Sequence, residues 1–228
     1  METKIKHVGG LLMHYRPNTS DLSAIDEVIE RRSYERRYFR VLPGETWIDL
    51  GGNIGAFTVW AASLGAYIKT YEPDPLSIEM IRKNLLANNL TAQVEVNQAG
   101  VVGDGRNTGF LSISKTGKYW RNSLYRDWGG GTIKVPLVRF DDVVAESDCV
   151  KMDIEGAEMD IVEKMQVFPQ KLVLEWSFDI DDNIDRYRAA VLRLRNNYPN
   201  VKADKIADKH TVWPKTWFPP FQMIYAWK

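Results

Sequence analysis

At 228 residues and 26.2 kDa the chain can bury one substantial core but is short for two, so a single domain over 1–228 is expected. Apolar residues make up 44% and charged residues 26%, with no low-complexity run, which excludes a disordered or fibrous chain. Thirty basic residues balance thirty acidic ones, and this neutrality argues against a nucleic acid or an anionic membrane as the main partner.

The opening stretch METKIKHVGGLLMHYRPN lacks the apolar run of a secretory leader, and nothing elsewhere approaches ~18 uninterrupted apolar residues. A cytoplasmic protein without membrane insertion is expected. Cys149 is the only cysteine, which excludes an intrachain disulfide and a cysteine-cluster metal site. Residues 1–46 predict a short hairpin and then a helix over 20–32, with start signals in NTSD.

From Trp47 onward, short runs rich in Val, Ile and Tyr alternate with helical patterns. The strand-like runs are WIDLGG, YIKTYEP, QVEVNQA, CVKMDIEG and KLVLEWS. Between them, IGAFTVWAASLGA stops at Gly65 and DPLSIEMIRKNLLANNL ends among asparagines that tolerate a left-handed cap. Strands and helices in alternation imply crossover units and a parallel sheet covered on both faces, a doubly wound α/β fold. Residues 104–140 interrupt the alternation and predict an inserted hairpin with a glycine turn at GGG, carrying Tyr119, Trp120, Tyr125 and Trp128 toward the acceptor side. Ile184, Tyr187, Val191, Leu194 and Tyr198, three or four apart among arginines, predict an amphipathic helix with a solvated basic face. VKADKI and FQMIYAWK read as two last strands of the same sheet.

A strand that runs through DLGGNIG into a helix ends at the carboxyl edge of such a sheet, where nucleotide-like ligands bind. Glu72 follows Gly51 by 21 residues, at the end of the next strand, where a carboxylate can accept both hydrogen bonds of a ribose diol. The dinucleotide fingerprint is incomplete, because Phe57 stands where a third glycine would let a helix N-terminus hold a pyrophosphate. A ligand with a ribose but no phosphate suits the loop, and S-adenosyl-L-methionine is one. On this reading Asp49 and the amides of Gly51, Gly52, Asn53 and Gly55 face its amino-acid end, Glu72 its ribose, and Gln98 with Ala99 its adenine, with Asp153 beside them.

DLGGNIGAF, YEPDP, RKNLLANN and above all VKMDIEGAEMDIV resemble the FkbM family of S-adenosylmethionine-dependent methyltransferases, over about 17–177. The resemblance implies a Rossmann-like class I methyltransferase fold with a mostly parallel seven-stranded sheet. It also implies O-methylation of a sugar, a glycan or a small natural-product hydroxyl. Gly52 stands where the family usually has Ala. Trp176 and Ser177 follow Glu175 where a histidine is common, so a histidine base is not expected there.

Methyl transfer mainly needs alignment of the acceptor and exclusion of water, and a positioned base adds about 10² to 10⁴ in rate. Asp153, Glu155 and Glu175, near the carboxyl ends of central strands, are the candidates, with strand period two expected to aim Asp153 and Glu155 the same way. Lys151 beside them can act or can simply pair with the carboxylates. Paired carboxylates can also hold a divalent metal, a weaker reading without a sharper ligand set. The three histidines, His7, His14 and His210, are scattered. An N-directed or nucleic-acid methyltransferase is the enzyme alternative. Against it, the usual Asn or Asp, two prolines and an aromatic are missing, since FPPF lacks the leading polar residue. A catalytically silent adenosyl-binding module is the alternative from another class, and exposed aromatics near both termini permit a homodimer.

Overall fold

The computed structural model describes residues 2–116, 121–178, 180, 182–203 and 221–228. Tyr119, Trp120, His210, the 218–220 part of FPPF and the end of VKADKI lie outside these residues.

In chain order, β1 (Lys4–Val8) and β2 (Leu11–Tyr15) form a hairpin turned by Gly9 and Gly10. Helix α1 (Asp21–Ile25) continues without a break into a π-helical turn, Asp26–Glu30, in which the Arg31 amide reaches back to the Asp26 carbonyl. Then come β3 (Thr46–Leu50), α2 (Ala56–Ser63), β4 (Tyr67–Tyr71), α3 (Pro75–Ala87) and β5 (Val94–Asn97). A short β6 (Gly100–Val102) precedes the insertion, which supplies β7 (Thr108–Ser114) and β8 (Gly129–Arg139), and a four-residue α4 (Phe140–Val143) follows. The chain closes with β9 (Cys149–Met152), α5 (Ala157–Lys164), β10 (Lys171–Ser177), α6 (Ile184–Asn197), β11 (Asn200–Ala203) and β12 (Phe221–Trp227).

Seven strands form the central sheet in the order β11-β12-β10-β9-β3-β4-β5, with β12 antiparallel to both neighbours and the other pairs parallel. The chain runs outward from β3 through β4 to β5 and then returns to β9 on the other side of β3. The carboxyl ends of β3 and β9 therefore meet at the switch point where open α/β sheets hold ligands.

Strand periodicity sorts the core. Trp47, Cys149 and Val173 pack with α2, α3 and the N-terminal elements, while Ile48, Leu50, Val150, Met152, Leu172 and Leu174 pack with α5 and α6. Burial pushes the Cys149 thiol up to about 12, so it stays a neutral apolar filler. The asparagines of α3 do more than end it: Asn84 and Asn88 hydrogen-bond the backbone of His14 and Leu12, fastening the hairpin to the helix. Asn89 takes the left-handed conformation at φ 57°.

The inserted hairpin is present, with β7 antiparallel to β8, and β6, which precedes the expected bounds, extends it to a three-stranded sheet by pairing parallel to β8. Its glycines are not a turn. Gly129–Gly131 begin β8 at an irregularity opposite Ser112 and Ser114, and a Cβ on Gly130 would lie 2.4 Å from the Ile113 carbonyl oxygen. Tyr125 donates to Asp160, and the Trp128 ring has Arg121 and Arg126 over it at 4.9 and 4.4 Å. Tyr125 thus engages α5 and Trp128 the arginines of the insertion, and neither lines the two spaces described below. Near the termini, Tyr38 stacks on Trp227 with ring centroids 5.1 Å apart. No helix among the described residues is long and apolar enough to cross a membrane.

Candidate active site

Three adjacent strands send polar side chains to the same face of the sheet. Asp49 on β3 is in register with Lys151 on β9, and Glu175 lies on β10 two residues beyond Val173, the register partner of Lys151. Asp49 is fully buried; Thr58 of α2 donates to one oxygen at 2.6 Å and the Lys151 ammonium lies 3.1 Å from the other. Lys151 also donates to the carbonyls of Gly51 and Leu50, at 2.8 and 3.2 Å. Burial opposes its charge, but Asp49, Asp153 and Glu175 outweigh burial, and its pKa is raised. The pair fastens the glycine loop from behind. Asp49 therefore does not face a ligand as the sequence suggested; its carboxylate is turned inward between Thr58 and Lys151.

The loop itself is built by its own neighbours. Gly51 has φ 80°, and a Cβ there would sit 1.8 Å from the Asp153 carbonyl oxygen. At Gly52 a Cβ would meet the Thr70 hydroxyl at 2.3 Å. Gly55, at φ 86°, caps α2 from the left-handed region. Bare main chain is needed first to seat β3 against the β9 loop and β4, and only then for a ligand.

Glu72 joins the loop to the next strand. One carboxylate oxygen accepts from the Asn53 amide at 2.8 Å and the other from the Asp74 amide at 2.9 Å, with the residue 7% exposed. Burial raises its pKa to about 7 against the lowering effect of these two amides. Glu72 lines a narrow cleft of about 60 Å³ with Gly51, Asn53, Tyr71, Gly100 and Val101, roofed by Leu111, Asn122 and Leu124 of the insertion. Asn53 stands in the left-handed region at φ 48°, and its buried Oδ1 has no hydrogen-bond partner among the described residues.

A second space of about 410 Å³ opens on the other side of the loop, between the sheet and the N-terminal helix. Asn53, Asp153 and Glu155 border both spaces, so the two meet there. Asp153 accepts from the Tyr34 hydroxyl at 2.7 Å and lies 3.9 Å from the Lys151 ammonium. Burial first and Asp153 next hold the Tyr34 pKa well above its usual value, so it remains a donor. Burial and then the Asp153, Glu27, Glu155 and Glu158 carboxylates raise Glu175 well above the ordinary carboxylate range. Glu175 and Glu27 line only the larger space.

Asp153 and Glu155 come together at the junction, but not by strand period. Strand β9 ends at Met152, and Glu155 at φ 51° followed by Gly156 at φ 107° turns the chain into α5. Ser123 of the insertion donates to the Glu155 carbonyl at 2.6 Å and ties the insertion over this turn. Glu158 is structural: it is fully buried and accepts from the Gly156 and Ser177 amides. At the far end of the cleft, Gln98 is exposed and Ala99 is buried, and neither lines it; Gly100 and Val101, one and two residues further on, do. His7 is exposed and His14 is bound through its backbone to Asn84, both far along the chain from the cleft residues. Tyr34 and Glu27 were not foreseen. The only hint was an aromatic inside the highly charged run ERRSYERRYFR. Among the described residues no three His, Cys, Asp or Glu side chains gather as a metal site would need.

Comparison with known proteins gives a domain and a fold. The Methyltransferase FkbM domain matches residues 49–198. A curated tRNA (uracil(54)-C(5))-methyltransferase of Pyrococcus abyssi (strain GE5 / Orsay) is 31% identical over 61 residues, which is 27% of this chain and 15% of that protein. Among solved structures, M. jannaschii TYW2 in complex with AdoMet is similar at TM-score 0.52 and 14% identity, over 98% of this chain and 84% of that one. The Pyrococcus abyssi tRNA (uracil-54, C5)-methyltransferase in complex with S-adenosyl-L-homocysteine gives TM-score 0.51 and 16% identity, over 99% of this chain and 44% of that one. At such identities the structural likeness speaks for the class I methyltransferase fold alone.

Proposed function

The chain belongs to the FkbM methyltransferase family, and from that premise we propose that it moves a methyl group from S-adenosyl-L-methionine to a hydroxyl oxygen of a sugar, glycan or small natural-product acceptor. The observation that carries this reading is the junction of the two spaces. A narrow cleft with a buried carboxylate and an unpartnered amide oxygen opens, past Asp153 and Glu155, into a larger cavity.

The residues of the cleft fit the donor. Glu72 keeps acceptor capacity beyond its two amide bonds for a ribose diol, Asn53 Oδ1 is a free acceptor for the amino-acid end, and Val101, Leu111 and Leu124 offer apolar surface to the adenine. At about 60 Å³ the cleft is smaller than the roughly 300 Å³ of an ordinary ligand site, so Leu124 and Asn122 move aside as the donor enters. The bound donor supplies a methyl carbon already activated by positive sulfur. The protein aligns the acceptor and excludes water. Asp153, held by Tyr34 and Lys151 at the junction, takes the proton of the acceptor hydroxyl. No second reading is favoured by an observation at the site; the tRNA specificity in the relatives' names is theirs.

In a tritiated-methyl assay against fractionated glycans, small hydroxylated compounds and tRNA, label is expected in the hydroxylated fractions, and label in tRNA alone would overturn the reading. Asp153→Asn should lower kcat by about 10²-fold while the affinity for S-adenosylhomocysteine changes less than about threefold. Unchanged turnover would remove Asp153 from its role.

Glu72 also makes donor affinity depend on pH. Ribose hydroxyls donate to the ionised carboxylate, whereas burial keeps the empty site protonated below about 7. Affinity for S-adenosylhomocysteine should then be flat above pH 7 and fall about tenfold per unit below it, with one proton released on binding. Calorimetry in buffers of different ionisation enthalpy measures both.

A further inference from the structure

The larger cavity carries more negative charge than methyl transfer needs. Asp26, Glu27, Asp153, Glu155 and Glu175 line it, against Arg31 and Arg121. Some of this charge is already answered within the protein. Asp26 pairs with Lys6, and Asp153 has Tyr34 and Lys151. Arg121 is held over the Trp128 ring, and Arg31 is exposed. Glu155 is likewise engaged within the protein, which leaves Glu27 and Glu175. They come from opposite walls, one from the π-helical turn and one from β10, and among the described residues neither carboxylate forms a hydrogen bond or an ion pair.

Resting on the methyl-transfer reading above, we propose that this cavity selects a hydroxylated acceptor that also carries a protonated amine, with the ammonium held between Glu27 and Glu175. A carboxylate drawn from water without a partner is costly, and half-buried Glu27 and Glu175 answer this by shifting protonation. Burial raises both groups; at Glu27 this prevails over the opposing charges of Arg31 and Lys151, and at Glu175 Asp153 and then Glu27 add to the rise. An ammonium entering between them would restore both to the ionised form and replace repulsion with two charge-assisted contacts. The donor's own positive sulfur does not serve, because the cleft borders the cavity at Asn53, Asp153 and Glu155, whereas Glu27 and Glu175 border the cavity alone. Acylation of the amine would remove the attraction, and a phosphate in its place would meet like charge. Ser23 and Ser177, in the same lining, suit neighbouring hydroxyls.

The test uses the full chain saturated with S-adenosylhomocysteine, with D-glucosamine, N-acetyl-D-glucosamine and D-glucose 6-phosphate as probes in saturation-transfer NMR titrations. Glucosamine is expected to bind at least about tenfold more tightly than the other two. Glu27→Gln with Glu175→Gln should abolish that preference while leaving the affinity for S-adenosylhomocysteine within about twofold. Equal binding of the acetylated sugar, no binding of glucosamine, or a preference that survives the double substitution would overturn the proposal. Wild-type protein that ignores S-adenosylhomocysteine would instead overturn the methyl-transfer reading beneath it.

Discussion

Gly51→Ala is expected to destabilise the protein by about 4 kcal/mol or more, most of the stability of a domain at the low end of the ordinary range. Two effects add. The residue sits at φ 80°, and its Cβ would lie 1.8 Å from the Asp153 carbonyl oxygen and 2.9 Å from the carbonyl carbon. Those are main-chain atoms, and the Asp153 amide is itself bonded to the Leu50 carbonyl at 3.1 Å, so relief requires separating β3 from β9 at the centre of the sheet. Gly44 provides the control. It has φ 81° with nothing within 4 Å of its Cβ, so Gly44→Ala should cost only the left-handed strain, about 1 to 2 kcal/mol. Urea unfolding followed by circular dichroism measures both, and equal costs would show that the clash is absorbed.

Lys151→Met should cost about 3 to 5 kcal/mol, because it leaves the Asp49 carboxylate buried without its counter-charge. It also removes the donor to the Gly51 and Leu50 carbonyls, so the glycine loop should loosen as the sheet centre weakens. Adding Asp49→Asn should recover about half of the loss, since an amide still accepts from Thr58 but carries no charge. If the double variant is no more stable than the single one, the loss lies in the loop carbonyls and not in the ion pair. The same variants should lose affinity for S-adenosylhomocysteine in proportion, because the loop that holds Asn53 is seated on this pair.

The sheet was legible because each strand carries its faces in its own residues. In WIDL, Trp47 and Asp49 point one way and Ile48 and Leu50 the other, and the helices that follow end at glycine and asparagine. The position of Glu72 was legible for the same reason, at the end of a strand and a fixed distance past the loop, while its hold on a ribose belongs to the proposal. What failed was local backbone that sequence patterns do not encode. A positive φ at Glu155, a non-glycine, ends β9 earlier than the alternation in KMDIE suggests. The glycines of GGG satisfy a strand irregularity and not a turn, and the cleft wall falls at Gly100 and Val101, just past the residues chosen. Asp49 was assigned to the ligand, because its partner Lys151 lies about a hundred residues away in sequence. Tyr34 and Glu27 were missed for that reason too: from a segment that precedes the sheet, Tyr34 reaches Asp153 at the junction across more than a hundred residues and Glu27 lines the larger cavity.

The π-helical stretch Asp26–Glu30 makes the wall of the larger cavity sensitive to length as well as to composition. Wide turns of this kind amount to one surplus residue in an α-helix, and each residue in an α-helix turns by about 100°. A relative one residue shorter within this stretch would keep the same helix and the same glycine loop, yet swing the side chain at the Glu27 position off the cavity. Divergence in what such enzymes accept could thus arise by deletion, with every donor-binding residue left untouched.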